Sequence, residues 1–276
     1  MEKDFEERIN CPQTRDIQAC ILGMLKDIDR VCREHNLRYY IIAGTMLGAV
    51  SHQGFVPWDD DADIALPRPD YEVLLEHANE WLSRDYELIS HDKDSLYPYN
   101  FARIQDKRTT YIFRRFNYLG GLPVDIFPID GMVEDGLRRK WHYFKYYWNT
   151  RLLYFRMTDP YKHGRGIRSL FVLFMHRAFS AKRLHKRLAA IQKEYDFDTS
   201  ALVADHDNRP FRGILPKEVY GTPTPIMFEG VQLMGVEKPD EYLSYCYGNY
   251  MELPKQMPPQ NFRYINLNLP YKDYHG

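Results

Sequence analysis

The pattern of hydrophobic and polar positions predicts a long helix followed by alternating strands and helices. Apolar residues at helical spacing predict an amphipathic helix over residues 14–35. The β-branched and aromatic run at 38–42 predicts a strand, and residues 46–50 are expected to form a short helix after it. Ile64-Ala65-Leu66 favours a second, buried strand. The apolar positions of the first helix are Ile17, Ile21, Met24, Leu25, Ile28 and Cys32.

Later segments continue the alternation of the two element types. Pro69 is placed to open a helix that runs to about Leu82, because proline is favoured in a first helical turn. Helices dominate from about 134 to 195, and a hairpin at 225–234 precedes a short helix from Pro239. The remaining predicted strands are 86–89, 101–105, 109–113 and 122–127. This order predicts an α+β (α/β) fold in which helices flank a small mixed sheet.

Composition limits the classes of protein to which this chain can belong. The net charge of −1 gives no overall field that would favour nucleic acid. The cysteines Cys11, Cys20, Cys32 and Cys246 have no paired spacing, so neither a zinc site nor a disulfide framework is indicated. The sequence contains no signal-peptide pattern and no apolar stretch long enough to span a bilayer. We therefore expect a cytoplasmic protein with reduced thiols.

The most informative segment is the acidic run Val56-Pro57-Trp58-Asp59-Asp60-Asp61-Ala62-Asp63, which leads directly into an apolar strand. Alternate side chains of a strand share a face, so Asp61 and Asp63 would lie about 6.5–7 Å apart along the backbone. Paired carboxylates repel each other unless a cation lies between them, and oxygen ligands suit Mg²⁺ or Mn²⁺. The alternative is an acidic turn that caps a helix, but a cap needs a single Asp.

Gly44 and Thr45 follow the first predicted strand and precede the short helix. A helix that begins after a glycine lets backbone N–H groups approach an anion closely, because glycine has no Cβ. Alone, such a pair is equally typical of an ordinary turn. Because Asp-x-Asp follows about fifteen residues later, we interpret the pair as a phosphate cradle that faces the metal site.

Asp125 is the third candidate for the metal site. It is a lone charge between apolar neighbours, so it either faces a cleft or forms an ion pair with a buried arginine. Arg103 and Arg68 are candidate phosphate-binding groups, because a guanidinium binds phosphate through two parallel hydrogen bonds. Either arginine could equally be an ordinary surface residue. Asp130, which precedes Gly131, is interpreted as a turn residue.

Further motifs surround these residues. They are Gly44-Thr45-x-Leu47-Gly48-Ala49, Gly54-Phe55-Val56-Pro57-Trp58-Asp59-Asp60-Asp61-x-Asp63, Pro67-Arg68-x-Asp70-Tyr71, Tyr97-Pro98-Tyr99-x-Phe101-Ala102-Arg103-Ile104, Val124-Asp125-Ile126-Phe127-Pro128-Ile129-Asp130-Gly131, Phe228-Glu229-Gly230-Val231, and Tyr242-Leu243 with Tyr247-Gly248-x-Tyr250-Met251-x-Leu253-Pro254. Together they resemble the signature of LicD-type transferases, which belong to the nucleotidyltransferase-fold superfamily and are related to fukutin-type enzymes. The resemblance covers nearly the whole chain except its middle and its extreme ends.

This resemblance implies metal-dependent transfer of a phospho-alcohol, such as phosphocholine, from a CDP-alcohol donor to a hydroxyl of a cell-surface glycan. The glycan would be a lipopolysaccharide, a teichoic acid or a capsule. Asp61 and Asp63 would hold the catalytic Mg²⁺ or Mn²⁺, and Asp125 would bind a second ion or accept the proton of the acceptor hydroxyl. Asp59 and Asp60 would orient the substrate. Nothing in composition or spacing identifies choline as the transferred alcohol.

Two departures from the family pattern concern the substrate more than the metal. Ser51 stands where relatives often carry Arg, and Pro258-Pro259-Gln260-Asn261-Phe262 stands where they usually carry a histidine pair.

Two other functions stay open, a nucleotidyltransferase that moves NMP from NTP to an acceptor, and a non-catalytic glycan-binding relative. We expect one LicD-type domain over 1–276, with a catalytic core at about 14–131, a helical basic segment at about 134–195, and a C-terminal hairpin and helix at about 196–276.

The helical segment carries a strong local charge. Residues 138–187 contain fourteen basic residues and one acidic residue, Asp159, interleaved with aromatic and apolar side chains. This pattern suits a peripheral position on the inner, anionic face of a membrane, where a lipid-linked acceptor glycan would be met. The alternative is an ordinary helical subdomain whose apolar face packs on the core. Nucleic acid is not expected as a partner, because no recognised binding motif accompanies the charge.

Overall fold

A mixed β-sheet forms the centre of the fold, and the computed structural model describes it through residues 12–161, 164–207, 213–252 and 260–275. The strands are β1 (Tyr40–Ile41), β2 (Asp63–Pro67), β3 (Tyr86–Ile89), β4 (Ala102–Phe113), β5 (Leu119–Met132), β6 (Leu202–Ala204), β7 (Ile214–Pro216), β8 (Thr224–Phe228), β9 (Val231–Gly235) and β10 (Phe262–Asn266). The helices are α1 (Pro12–Glu34), α2 (Ala43–His52), α3 (Arg68–Trp81), α4 (Gly136–Met157), α5 (Ile167–Ala178), α6 (Ala181–Gln192), α7 (Lys217–Tyr220) and α8 (Pro239–Tyr247). A short 3₁₀ turn, Tyr271–Asp273, follows the last strand.

The main sheet has the strand order β1-β2-β5-β4-β10. Strand β3 also pairs with β4, and β6 and β7 extend the sheet from the far end of β5. Strands β2 and β5 are parallel, and the other pairings are antiparallel. Strands β8 and β9 form a separate hairpin. The predicted α+β class is therefore confirmed.

Helices α1 and α3 lie side by side and cover one part of the sheet. The predicted amphipathic helix is confirmed, because all six of its apolar positions are buried. The rings of His35 and Trp81 stack with their centroids 3.5 Å apart, and Arg30 donates a hydrogen bond to the carbonyl of Trp81 at 2.9 Å. Helix α3 begins at Arg68, with Pro69 in its first turn as expected.

Two predicted strands prove to be one. The segments 101–105 and 109–113 belong to the continuous strand β4, whose pairing with β5 shifts register between Asp106 and Tyr111. The Asp106 side chain accepts hydrogen bonds from the backbone N–H and the guanidinium of Arg108, which satisfies polar groups at the irregularity. Strands β6, β7 and β10 were not predicted, because they are short and depend on pairing with distant strands.

Helix α6 packs against the segment before β4 through a buried histidine. His185 is 3% exposed, its Nδ1 lies 2.9 Å from Asn100 Oδ1, and its ring stacks on His91 at 4.4 Å. Burial, with a smaller contribution from His91, lowers the pKa of His185 to about 3. His185 is therefore neutral in the folded protein at physiological pH.

The stability of the fold should consequently depend on pH through His185. A base whose pKa is lowered on folding contributes full stability above its unfolded pKa of 6.5, and loses it as the pH falls towards 3. We expect the melting temperature to drop between pH 6.5 and pH 4, and the drop to be smaller in His185→Gln. Circular dichroism melts of both proteins, with the exposed His275→Gln as control, measure this; equal slopes for wild type and His185→Gln would contradict it.

Three of the four cysteines lie among the described residues. Cys20, Cys32 and Cys246 are free thiols, and Cys11 lies outside the described residues. No helix in the described parts of the chain is long and apolar enough to cross a membrane.

Candidate active site

A row of charged side chains crosses three adjacent strands of the sheet. Asp63 of β2 is in register with Asp125 of β5, which is in register with Arg103 of β4. In-register neighbours point to the same face of a sheet. The two acidic residues singled out on separate strands are therefore brought together, on the side away from the apolar neighbours Ile64, Val124 and Ile126.

The sequence allowed Asp125 either to face a cleft or to pair with a buried arginine, and in the structure it does both. It lines a cavity, and it is also the partner of a buried arginine. Arg103, 5% exposed, donates from Nε to Asp125 Oδ1 and from Nη2 to Oδ2, the latter at 3.0 Å. The guanidinium lies 3.9 Å from the ring centroids of both Tyr99 and Phe113. These contacts fix the orientation of the Asp125 carboxylate, and they engage the two parallel donors with which Arg103 was predicted to bind phosphate.

Asp61 reaches the same cavity from the residues that precede β2. Its Oδ2 accepts a hydrogen bond from Asn261 Nδ2 at 2.5 Å. Asn261, just before β10, belongs to the segment in which this chain departs from the family pattern, and Gln260 beside it also lines the cavity. Pro258, Pro259 and the Leu253-Pro254 part of the C-terminal motif lie outside the described residues.

Asp61, Asp63 and their acidic neighbours concentrate negative charge in a partly desolvated site. Burial raises the pKa of Asp61 well above its usual value, and the charges of Asp59, Asp60 and Asp125 add to the effect. Burial also raises the pKa of Asp63, with Asp61 and Asp125 as the main charged neighbours. The charge of Arg103 opposes the rise at Asp61 without cancelling it. A cation bound here would relieve the repulsion.

Gly44 and Thr45, the residues of the predicted phosphate cradle, contact the acidic segment. Gly44 and Thr45 lie in the first turn of α2, but the Thr45 hydroxyl accepts a hydrogen bond from the backbone N–H of Asp63 at 2.8 Å. The carboxylate of Asp59 lies over Gly44, where a Cβ would come within 3.0 Å of Asp59 Oδ2. Burial, with a contribution from Asp60, raises the pKa of Asp59 to about 7. In this arrangement both residues position the acidic segment.

The β8–β9 hairpin holds the loop that carries the acidic segment. A Cβ on Gly48 would collide with the Gly54 carbonyl, and one on Gly54 would collide with the Glu229 carboxylate. Glu229 Oε1 accepts a hydrogen bond from the Phe55 N–H at 3.0 Å, and the backbone N–H of Glu229 donates to Gln53 O at 2.8 Å. The close approach of these atoms explains why the sequence carries glycine at both positions.

A cavity of about 680 Å³ opens beside the carboxylates. Aromatic rings form much of its wall, and three arginines supply positive charge. The aromatic residues are Tyr99, Phe101, Tyr111, Phe113, Phe116, Phe127 and Tyr154, and the arginines are Arg103, Arg114 and Arg115. A site that contains aromatic faces, carboxylates and guanidinium groups can contact a cationic alcohol and a phosphate together.

Arg68 and Asp130 form an ion pair away from this cavity. Arg68 Nε donates to Asp130 Oδ1 at 2.6 Å and Nη2 donates to Oδ2 at 2.7 Å, with the Asp130 side chain fully buried. The interpretation of Asp130 as a turn residue is wrong, because Asp130 lies within β5. Burial alone would raise the pKa of Asp130, but Arg68 and His206 outweigh it and lower the pKa. Arg68 is not among the residues that line the cavity.

A divalent metal ion needs several ligands close together. Within the described residues, no three Asp, Glu, His or Cys side chains form a ready-made metal cage. Mg²⁺, however, is usually bound by one or two carboxylates together with substrate phosphates and water. Asp61 and Asp63 fit that pattern, because they are oxygen donors whose mutual repulsion is not balanced by Arg103.

Several residues at the site were missed by the sequence analysis. Gln18 of α1 donates to the carbonyl of Asp59 at 2.9 Å, and Asn261 contacts Asp61. Tyr247 at the end of α8 is 44% exposed, but partial desolvation of its phenol and the charge of Asp63 raise its pKa. Gln18 and Asn261 carry no local signal, because they act through contacts with residues far away in sequence. Ser51 is exposed and donates to the carbonyl of Leu47, outside the cavity wall.

The mixed sheet carries acidic residues side by side on its two adjacent parallel strands. Residues 36–160 match the family model described as LicD/FKTN/FKRP, nucleotidyltransferase domain. The resemblance inferred from the motifs is thereby confirmed, because this segment of the chain is similar to the LicD family.

Similarity to individual proteins extends beyond the matched domain. The chain is 26% identical over 249 residues to the lipopolysaccharide cholinephosphotransferase LicD of Haemophilus influenzae, an alignment that covers 88% of this chain and 92% of the relative. An uncharacterized protein of Rickettsia prowazekii is 45% identical over 53 residues, which cover 19% of this chain and 20% of that protein. An uncharacterized protein of Rickettsia typhi is 45% identical over 47 residues, covering 17% and 15%.

Proposed function

We propose that this protein transfers a phospho-alcohol, of the phosphocholine type, from a CDP-alcohol donor to a hydroxyl of a cell-surface glycan. The observation that carries the proposal is that Asp61 and Asp125 line a cavity with aromatic and arginine walls, and that Asp63 lies in register with Asp125 on the adjacent strand. The Haemophilus influenzae relative is named for choline phosphate transfer and for lipopolysaccharide, which supports the transferred group and a glycan acceptor.

Asp61 and Asp63 would hold Mg²⁺ or Mn²⁺. When bound, the ion would neutralise charge on the donor phosphates and on the departing CMP. Asn261 keeps Asp61 oriented, and Thr45 holds the backbone of Asp63 through its hydroxyl. A hydrogen bond from a neighbouring residue thus positions the Asp61 carboxylate, and another positions the backbone of Asp63.

Asp125 is best suited to accept the proton of the acceptor hydroxyl. Its pairing with Arg103 disfavours a second cation on the same carboxylate, because the guanidinium already supplies positive charge there. The ion pair also fixes the carboxylate in the row beside Asp63. Each Asp125 oxygen retains a lone pair that can accept a hydrogen bond from a hydroxyl.

The cavity wall supplies groups suited to a phosphocholine-type donor. A quaternary ammonium binds favourably over aromatic faces, and in the cavity wall the cationic Arg115 guanidinium already lies over the rings of Phe116 and Tyr154, 5.2 and 5.4 Å from their centroids. Arg114 and Arg115 are placed to pair with phosphate oxygens. We infer that these two arginines, rather than Arg68, contact the donor phosphates.

Donor selection can be tested with the purified protein. We expect CMP to be released from one member of a panel of CDP-choline, CDP-ethanolamine, CDP-glycerol and CDP-ribitol in the presence of Mg²⁺, with slow hydrolysis when no acceptor is present. EDTA should abolish the reaction and added Mg²⁺ or Mn²⁺ should restore it. Release of pyrophosphate from NTPs, with no turnover of any CDP-alcohol, would instead identify a nucleotidyltransferase. Binding of glycan without either reaction would identify a non-catalytic relative.

A further inference from the structure

The solvent-facing side of α4 is apolar. Leu137, Trp141, Phe144 and Trp148 recur at spacings of three or four residues, so they form one stripe along the helix. Their side chains are 79%, 61%, 55% and 56% exposed, respectively. The stripe is outward, because α4 buries a different set that includes His142 and Tyr146.

Helix α5 continues this exposed apolar surface. Leu170, Phe171 and Phe174 are 67%, 47% and 62% exposed, whereas the helix packs through Ser169, Val172 and Met175. The rings of Phe155 in α4 and Phe171 in α5 lie 5.2 Å apart, so the two helices are in contact. We call the set Trp141, Phe144, Trp148, Leu170, Phe171 and Phe174 the apolar patch.

The apolar patch is not the face by which the helical segment joins the protein. Among the described residues, eleven of the eighteen exposed large hydrophobic side chains lie between residues 137 and 174. The packed face of the segment contains Tyr146 and Leu153 of α4 with Leu184 and Leu188 of α6. The alternative from the sequence was a helical subdomain whose apolar face packs on the core. The residues of the apolar patch do not pack in this way, because they are exposed. A concentration of exposed apolar surface of this kind marks a binding surface.

Basic side chains surround the apolar patch. Residues 138–187 contain fourteen Lys and Arg against a single acid, Asp159. Arg138 and Arg151 flank the stripe on α4, and Arg168 and Arg177 lie on α5, all of them exposed. Aromatic and aliphatic residues beside a dense positive charge are complementary to an anionic lipid surface, whose headgroups pair with the arginines while its interior accepts the rings.

Other occupants fit these observations less well. A second copy of the chain would place two strongly basic segments against each other, and like charges repel. A nucleic acid would pair with the arginines and stack on the rings. It would leave uncovered the aliphatic surface of Leu170 and of Ile167, which is 87% exposed.

We propose that the apolar patch and its basic rim bind the surface of an anionic phospholipid bilayer. The helices lie on the membrane with α4 and α5 in the headgroup region, while the sheet and the cavity remain on the aqueous side. This inference does not depend on the proposed chemistry. If that chemistry is correct, the surface would bring the cavity to a lipid-linked glycan acceptor.

Vesicle flotation with the full chain tests the proposal. We expect the protein to float with phosphatidylcholine vesicles that contain phosphatidylglycerol, and to remain unbound with phosphatidylcholine alone. Raising the salt from about 0.1 M to about 1 M should reduce binding, because the screening length falls from about 10 Å to about 3 Å. Quenching by brominated lipids should depend on Trp141 and Trp148, and should be lost in Trp141→Phe with Trp148→Phe.

Three variants separate the contributions. Arg168→Gln with Arg177→Gln should lower the partition coefficient by roughly thirtyfold, given the usual contribution of a basic residue near an anionic surface. Trp148→Ser with Phe174→Ser should lower it by about a hundredfold. The matched control is Arg84→Gln with Leu96→Ser, which removes an exposed arginine and an exposed leucine outside the apolar patch and should bind as wild type does.

The outcomes that overturn the proposal are distinct from one another. They are an absence of flotation with anionic vesicles, binding that is unchanged in both patch variants, and equal losses in the matched control. Light scattering that shows a dimer in wild type and a monomer in Trp148→Ser with Phe174→Ser would assign the surface to self-association. Tight binding of single-stranded RNA that these variants lose, without vesicle binding, would assign it to nucleic acid. Circular dichroism of each variant confirms that the fold is retained, and CMP release reports separately on the chemistry.

Discussion

Asp61→Asn and Asp63→Asn should each lower phosphotransfer by about a thousandfold or more. Loss of a metal ligand removes several kcal/mol of charge stabilisation at the transferred phosphate, and each 1.4 kcal/mol corresponds to about tenfold in rate. The rate of CMP release at saturating Mg²⁺ measures the effect. Asp92→Asn, which changes a carboxylate whose side chain is 78% exposed, provides the matched control and should retain full activity.

The same two substitutions should stabilise the metal-free protein. In wild type, folding places Asp61 and Asp63 where burial and neighbouring carboxylates disfavour the ionised form. An acid whose pKa is raised on folding reduces stability as the pH rises above its unfolded pKa of about 4, so the repulsion is felt at neutral pH. Asparagine removes that charge. Each 1 kcal/mol regained raises the melting temperature of a domain of this size by about 2–4 °C.

Metal addition supplies a second comparison from the same variants. Mg²⁺ should raise the melting temperature of wild type, because a ligand that binds only the folded state stabilises it. Asp61→Asn and Asp63→Asn should show a smaller rise, since each lacks one of the two proposed metal ligands. Turnover retained by either variant, or a melting temperature below that of wild type in EDTA, would reject the assignment of these carboxylates to the metal.

Arg68→Met should cost about 3–5 kcal/mol of folding free energy, because it leaves the buried Asp130 carboxylate without its bidentate partner. Urea unfolding followed by circular dichroism measures the change. The double variant Arg68→Met with Asp130→Leu should recover most of the loss, since an apolar pair of similar size removes the orphaned charge.

A surface pair is the control for this prediction. Arg38 pairs with Asp70 at 2.7 Å but is 40% exposed, so Arg38→Met should cost about 1 kcal/mol or less. A phosphate-binding role for Arg68 predicts the opposite pattern, a raised KM for the donor with unchanged stability. Unchanged unfolding in Arg68→Met would therefore return Arg68 to the list of donor-binding groups.

The parts of the site that are visible in the sequence are those encoded by short segments. Asp61 and Asp63 are two residues apart, and the apolar run after them fixes a strand. Asp125 lies alone among apolar residues, which already indicates a cleft or an ion pair. The structure adds the register that sets Asp125 beside Asp63, information that depends on strand pairing.

Contacts between distant segments could not be read from local patterns. Arg103 and Asp125 are 22 residues apart, Arg68 and Asp130 are 62 apart, and Asn261 and Asp61 are 200 apart. A guanidinium can bind a carboxylate or a phosphate equally well, so residue type alone could not indicate that Arg68 pairs with Asp130. The exposure of Trp148 was likewise undetermined, because an aromatic stripe at helical spacing is compatible with a core or a surface.

The contact between Asn261 and Asp61 has a consequence for how the protein is made. Residues 12–132 contain the acidic segment and every strand of the sheet up to β5, so a nascent chain can begin to fold around them early. The amide that orients Asp61 arrives only with β10, after more than a hundred further residues have left the ribosome. The pocket is therefore completed last, and a chain released prematurely would hold an unfinished pocket with Asp61 unrestrained.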